Sequence, residues 1–333
     1  MVIKLKEDYC PKLNLLETQK AIKELKDYFE RTLADTLSLT RVSAPLFVEG
    51  NTGLNDNLSG KENPVTFETK DIENLQIVHS LAKWKRNALQ RYEFPLNTGL
   101  YTDMNAIRKH EELSNIHSIY VDQWDWEKII RKEDRTDAML EKIVKDIYSV
   151  FKKTEIYING LYPHLTTKLP DEIFFITAQE LLDLYPDLDD KGRENAIVKE
   201  HKAVFIKQIG KTLSTGEPHD TRSPDYDDWE LNGDIIFYDS ILDSALELSS
   251  MGIRVDEDTL MKQLRESNTT DRLHLKYHQD IINRKLPYTV GGGIGQSRLC
   301  MFYLEKLHIG EVQSSTWSEE MMEVCRKNKI NLL

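Results

Sequence analysis

From Leu286 to Leu304 the chain reads LPYTVGGGIGQSRLCMFYL, in which Gly291, Gly292, Gly293 and Gly295 lead into Arg298. Glycines at this density remove the Cβ atoms that keep a backbone away from a ligand. A guanidinium just past them is planar, permanently charged and suited to stacking on a base or gripping a phosphate. It is not a dinucleotide loop, because Arg298 stands where GxGxxG needs its third glycine, and no GK[ST] follows to make a Walker loop. The same residues also read as a glycine-rich turn before a core helix with the apolar stripe Leu299, Met301, Phe302 and Leu304. A second candidate is the segment from Asp234 to Arg254. Read as a hairpin turning between Ser240 and Ile241, it sets Asp234 opposite Glu247. Opposed Cβ atoms lie about 4.5–5.5 Å apart. Two carboxylates at that distance repel unless something positive lies between them, and Mg²⁺ carrying nucleotide phosphates suits such a pair.

Other polar groups are placed by strand and loop patterning. Between His117 and Trp126 a period of two puts His117, Ile119, Val121, Gln123 and Asp125 on one face, so a glutamine and a carboxylate end an otherwise apolar row. That suggests the floor of a polar pocket, since burying them without partners costs several kcal/mol. Asp225, Asp227 and Asp228 crowd beside Arg222 in HDTRSPDYDDWE, either a flexible acidic turn or a site completed by a cation. Lys83, Lys85 and Arg86 surround Trp84 and read most simply as an exposed helix face. Asp56 lies in the turn-rich loop 51–63, where a solvated loop is the plain alternative. His274 and His278 stand four apart without a third ligand, which favours a solvated helix face over a metal site.

Helical and strand periods supply the elements that must position these groups. Ala21, Ile22, Leu25, Phe29, Leu33 and Leu37 share a helix face within 17–37. LTRVSAPLFVEG is an extended strand broken by Pro45, which marks an edge or interface. Short strands are predicted near 64–70 and 75–79, a strand ending at Arg108, and a second long helix over 135–153. Strand–helix and helix–strand units follow, then helices near 256–266 and 272–283. The chain has 333 residues and a net charge of −12. That charge argues against nucleic acid or an anionic membrane as partner. Cys10, Cys300 and Cys325 form no CxxC pair, and no apolar run or signal peptide appears, so a cytoplasmic location is expected. No linker or repeat divides the chain, so one domain over residues 1–333 is expected.

Taken together, the segments resemble the catalytic domain of class II aminoacyl-tRNA synthetases, the aspartyl and asparaginyl branch in particular. The first helix and the strand with Pro45 resemble motif 1, the dimer-forming element. Arg108, Glu111, Glu112 and HSIYVDQWDWE resemble motif 2, and GGGIGQSR resembles motif 3. The match sharpens in DNLSG, HSLAKWKR, YVDQWDWE, PDYDDW, LNGDI, ELSSMGIRVD and GGGIGQSRL, which together resemble ammonia-dependent asparagine synthetases, the aspartate–ammonia ligases. The motifs run the length of the chain, so no separate anticodon-binding domain is expected. The resemblance implies an α+β fold with a central, mostly antiparallel sheet flanked by helices, and a homodimer.

It also implies the reaction. ATP adenylates the β-carboxylate of L-aspartate and ammonia displaces AMP. Arg108, and Mg²⁺ on Asp234 and Glu247, would meet the phosphates. Arg298 would stack on adenine over Gly293 and Gly295, with Ser250 beside it. Ser80, Lys85, Asp125, Asp227 and Arg254 would hold aspartate, and Gln123 would orient the β-carbonyl or the incoming nitrogen. Asp56 would bind ammonium, accept its proton and position ammonia, on a loop that closes over the site. Glutamine-dependent asparagine synthetases use an N-terminal cysteine. Here residue 2 is Val2, and removing Met1 exposes no cysteine, so free ammonia is the expected donor. An activating paralogue that passes the adenylate to another acceptor is one competing reading. A non-catalytic synthetase-like binding protein is another; its usual mark, loss of Arg108, Glu247 or Arg298, is absent.

Overall fold

The computed structural model describes residues 3–56 and 62–333. Helix α1 (Leu15–Leu37) starts at a capping box, with Asn14 and Glu17 each accepting the other's backbone N–H. It buries Ala21, Leu25, Phe29, Leu33 and Leu37. Strand β1 (Leu39–Arg41) follows. The chain then leaves that sheet through the Pro45 segment, so the single broken strand expected from LTRVSAPLFVEG is two strands in two sheets. Strand β2 (Phe47–Glu49) joins β3 (Thr66–Phe67) and β4 (Leu75–Ile77) in the small sheet.

The remaining elements build the main sheet and its cover. They are α2 (Ala82–Arg91), β5 (Gly99–Ile107), β6 (Tyr120–Ile129), α3 (Asp137–Leu161), β7 (Phe174–Thr177), α4 (Ala178–Leu184), α5 (Asp190–His201) and β8 (Ala203–Lys207). Then come β9 (Asp227–Asp239), β10 (Ser244–Arg254), α6 (Glu257–Glu266), α7 (Lys276–Ile282), β11 (Thr289–Gly295), α8 (Gln296–Tyr303) and α9 (Glu319–Lys327). The sheet runs β1-β5-β6-β11-β10-β9-β8-β7, parallel at β1/β5 and β7/β8 and antiparallel elsewhere. This is the mostly antiparallel α+β architecture expected.

Alternation along β6 divides the molecule. Trp124 and Trp126 point into the main core, against Phe29, Phe151 and Phe302 of α1, α3 and α8. Gln123, Asp125 and Glu127 point to the opposite face. There α2 packs at one end of the sheet, and α4 and α5 at the other. The polar row therefore lies between two small apolar cores.

The β9/β10 hairpin turns later than its residue spacing suggests. Asp239 pairs with Ser244, and its carboxylate accepts the N–H of Ile241 (2.7 Å) and Leu242 (3.0 Å), which fixes a turn over 240–243. A bulge between Glu247 and Ser249 adds a further offset. Asp234 consequently pairs with Ser250 and Glu247 with Ile236, correcting the expectation that the two carboxylates oppose each other.

Candidate active site

The polar face opens into a cleft of about 530 Å³. Its lining brings together Asp56, Ser80, Lys85, Arg108, Gln123, Asp125, Asp227, Glu247, Ser250, Arg254, Gly293, Gly295 and Arg298. These residues span 243 positions of sequence, from Asp56 to Arg298. Asp234, expected beside Glu247 at the phosphates, stays off the lining. The Arg222 guanidinium sits on both of its carboxylate oxygens and occupies the wall in its place.

The floor depends on the glycines of β11. Gly291 pairs with Glu127, Gly293 with Asp125 and Gly295 with Gln123. A Cβ at Gly291 would lie 2.0 Å from Glu127 Oε2, and one at Gly293 would lie 2.5 Å from Gln123 Oε1 and 2.8 Å from Asp125 Oδ1. So the glycines form a central strand rather than a turn. What they admit is the row of polar side chains from β6.

Those side chains are held by buried charge. Lys85 Nζ donates to the Gly292 carbonyl at 2.8 Å and lies 3.2 Å from Asp125 Oδ2. Burial pushes the Lys85 pKa down, against the pull of Asp125. Asp125 Oδ2 also accepts the Leu81 N–H at 3.2 Å, while its Oδ1 is buried without a hydrogen-bond partner among the described residues. An orphan carboxylate oxygen at the floor invites a cationic ligand group. Arg254 donates from Nη2 to Glu127 Oε2 at 2.7 Å and from Nη1 to Asp227 Oδ1. Thr289 Oγ1 completes Glu127 at 2.7 Å.

Three expectations are corrected here. Lys83, Lys85 and Arg86 are not an exposed face; each is about 1% exposed. Arg86 donates to the carbonyls of Pro287 (2.8 Å) and Val255 (2.7 Å). Lys83 meets Asp225 at 2.9 Å, with His278 at 3.0 Å and Arg272 at 3.3 Å on the same carboxylate. Burial alone would raise the Asp225 pKa, but the charge of Lys83, the hydrogen bond to His278 and the charge of Arg272 hold it below the usual carboxylate range. The acidic loop is thus no loose turn: Asp225 is pinned here, Asp227 by Arg254, and Asp228 by Arg135 at 2.8 Å. His278 belongs to this buried cluster, while His274 is exposed in the short 3₁₀ turn 270–274, so the two do not share the expected solvated helix face.

On the opposite wall Arg298 Nη1 donates to the Glu247 carbonyl at 3.1 Å and lies 3.6 Å from its carboxylate. Burial raises Asp234 to about 6, with Arg222 opposing and Glu247 adding to the rise. His117 also lines the cleft, and burial, followed by Arg298, pushes it down to about 4, so the ring is neutral. Asp56 closes the rim beside α2; Ser80 Oγ donates to its Oδ2 at 2.9 Å. The segment 57–61, with most of the DNLSG motif and the expected closing loop, lies outside the described residues.

A cleft of this kind on this sheet defines a class II aminoacyl-tRNA synthetase catalytic fold. The asparaginyl-tRNA synthetase of Entamoeba histolytica, solved with asparaginyl-adenylate, matches 90% of this chain and 66% of its own with TM-score 0.65 and 14% identity. That of Pyrococcus horikoshii, also with asparaginyl-adenylate, matches 89% of this chain and 68% of its own with TM-score 0.64 and 12% identity. Sequence relatives are far nearer. The aspartate-ammonia ligase family model matches residues 16–329. The aspartate–ammonia ligase of Ruminiclostridium cellulolyticum is 60% identical over 329 residues, covering 98% of both chains. That of Clostridium perfringens strain SM101 is 62% identical over 329 residues, again 98% of both. The chain belongs to the aspartate–ammonia ligase family, enzymes that make asparagine from aspartate and ammonia.

Sequence reasoning passed over Glu127, Arg222 as a site group, Tyr226 and Lys191, all tied to the cleft. Continuing the period of two past Asp125 would have reached Glu127. No local pattern marks the others, because distant elements bring them in.

Proposed function

We propose that this enzyme activates the β-carboxylate of L-aspartate with ATP, forming β-aspartyl-adenylate and pyrophosphate, and that ammonia then displaces AMP. The observation that carries this reading is the shared cleft: a carboxylate-holding floor at Lys85 and Arg254, arginines 108, 222 and 298 on the walls, and Asp56 at the rim. The α-ammonium of aspartate goes to Asp125 Oδ1, the buried acceptor without a partner. Asp227 assists it, and Lys85 and Arg254 meet the carboxylates. Gln123, admitted by Gly293, orients the reacting carbonyl. The adenine lies along β11 under Arg298, with Gly295 and Ser250 at its edge, and the guanidinium stacks on it. Arg108, whose Nε is buried without a hydrogen-bond partner, offers its charge to the phosphates.

The metal expected on Asp234 and Glu247 would take their hard oxygen donors, and the charge of Glu247 is near enough to add to the rise of Asp234. Bound there, Mg²⁺ would neutralise phosphate charge. Arg222 must first release Asp234, which frees a guanidinium for the same phosphates.

Asp56 makes the second half-reaction specific for ammonia. Its carboxylate binds ammonium and takes one proton. The nitrogen lone pair of the resulting ammonia then forms the bond to the acyl carbon as the carbon–oxygen bond to phosphate breaks. AMP leaves with the surplus proton. This reading takes the chain as one catalytic domain, located in the cytoplasm and paired as a homodimer through the α1 and β1 region.

The test combines purified protein, Mg²⁺-ATP and aspartate, with and without ammonium. Asparagine and AMP should appear together, only with ammonium. ADP in place of AMP would refute adenylation. Asp56→Ala should lose asparagine formation yet keep aspartate-dependent exchange of pyrophosphate into ATP; wild-type levels of both would remove Asp56 from this role.

A further inference from the structure

Asp56 stands where the chain enters 57–61, yet the structure fixes it from several sides. Asn55 Oδ1 accepts the N–H of Asp56 and the N–H of His79, both at 2.9 Å. His79 Nδ1 lies 3.1 Å from the Asp56 carbonyl, so that nitrogen carries the proton and donates. These bonds tie the Asp56 backbone to the start of α2. Its carboxylate is aimed separately. Ser80 Oγ donates to Oδ2 at 2.9 Å and the Tyr226 hydroxyl donates to the same oxygen at 3.3 Å.

Tyr226 is itself rigidly placed. Asp225 before it is locked in the buried cluster with Lys83 and His278, and Asp227 after it opens β9 on Arg254. The Arg254 guanidinium lies 5.6 Å from the Tyr226 ring centroid. The ring therefore stands between the arginine assigned to the substrate carboxylate and the carboxylate assigned to ammonium. Burial, then the charge of Asp56, pushes the phenol well above its ordinary range, so it remains a donor. Both hydroxyl donors are neutral.

We propose that Tyr226 is a positioning residue for amide formation: its hydroxyl, together with that of Ser80, turns the Asp56 carboxylate so that it meets ammonium beside the activated carbonyl. This rests on the reading of Asp56 given above and adds to it the residue that aims the group.

The test compares Tyr226→Phe, Ser80→Ala and Asp56→Asn in three assays. These are aspartate-dependent pyrophosphate exchange, asparagine formation from ammonium, and hydroxamate formation from hydroxylamine. Hydroxylamine is uncharged at neutral pH, so no proton need be removed before its nitrogen attacks, and the proton released on acylation leaves with AMP. For Tyr226→Phe, kcat/KM for ammonium should fall about tenfold, the scale of one hydrogen bond to a charged group. Exchange and hydroxamate formation should stay near wild type. Adding Tyr226→Phe to Asp56→Asn should cost nothing further, since both act through one carboxylate. Unchanged use of ammonium by Tyr226→Phe would overturn the proposal, and so would an equal fall in all three activities. If Asp56→Asn loses asparagine formation while Tyr226→Phe does not, only the positioning role fails. If Asp56→Asn makes asparagine at the wild-type rate, the reading of Asp56 fails with it.

Discussion

At the scale of single residues, the cleft is governed by contacts too close to tolerate an added atom and by charges that burial has shifted. Gly293 illustrates the first. Its missing Cβ leaves room for Gln123 and Asp125, so Gly293→Ala must push both aside. A displacement near 1 Å at a reacting centre costs about a hundredfold. Pyrophosphate exchange by Gly293→Ala should fall by that order, with asparagine formation following it; exchange at the wild-type rate would show that the floor can shift without cost. Asp234 illustrates the second. With its pKa raised to about 6 by burial, it is ionised above that pH and neutral below it. A neutral carboxyl holds a cation poorly, so the affinity for Mg²⁺-ATP should weaken as pH falls through about 6. Calorimetric titration on both sides of that value checks this, and a flat affinity would remove Asp234 from the metal site.

At the scale of elements, α2 carries three buried cationic side chains in ten residues. Such a sequence resembles a surface helix, and propensity alone gives no reason to bury it. Each cation is instead met by an acceptor from another element: Asp225 for Lys83, the Gly292 carbonyl and Asp125 for Lys85, and two carbonyls for Arg86. Removing one partner of a buried pair leaves an uncompensated charge, at a cost of about 3–5 kcal/mol. Asp225→Ala should lose that much stability in denaturant unfolding, and adding Lys83→Met should restore part of it. A loss confined to the range of a surface substitution would mean that the cluster relaxes freely. The glycine strand and the polar strand β6 are similarly interdependent: the three pairs from Gly291/Glu127 to Gly295/Gln123 make sense only in register.

For the whole molecule, two buried histidines should work against the fold as pH falls. Burial pushes His308 down to about 4, and its Nδ1 accepts the Gly310 N–H at 3.0 Å, a bond that protonation breaks. His117 is held at about 4 as well. The unfolded chain binds protons at both sites below about 6.5 while the folded chain does not. The contribution of these two histidines therefore falls with pH from about 6.5 down to about 4, while Asp234 and Asp239, raised to about 6 by burial, take up protons in the folded state and oppose it. His308→Asn should flatten melting temperature against pH in that window; an unchanged slope would place the titration elsewhere. The proposed homodimer is a further property at this scale. Leu16 of α1 is 65% exposed and Ile156 of α3 72%, apolar surface on two packed helices that a second copy would cover. Light scattering should give twice the chain mass of 38.8 kDa, and a monomer at micromolar concentration would refute it.

The sequence by itself determined the fold class, the family motifs and the candidate residues that the cleft brings together. Those properties follow from local period, from Pro45 as punctuation, and from strings such as YVDQWDWE in which alternate side chains share a strand face. Only the tertiary structure decided which charges meet. The residue spacing of 234–254 could not reveal that Asp239 would bond its own turn and that a bulge would follow, so Asp234 faces Ser250 and is covered by Arg222. Nor could the polarity of LAKWKR show that the helix is buried, because its partners lie far away in sequence, at Asp225, Val255, Pro287 and Gly292. A charged side chain is exposed or buried according to whether an acceptor is waiting for it, and such acceptors are set by the packing of distant strands.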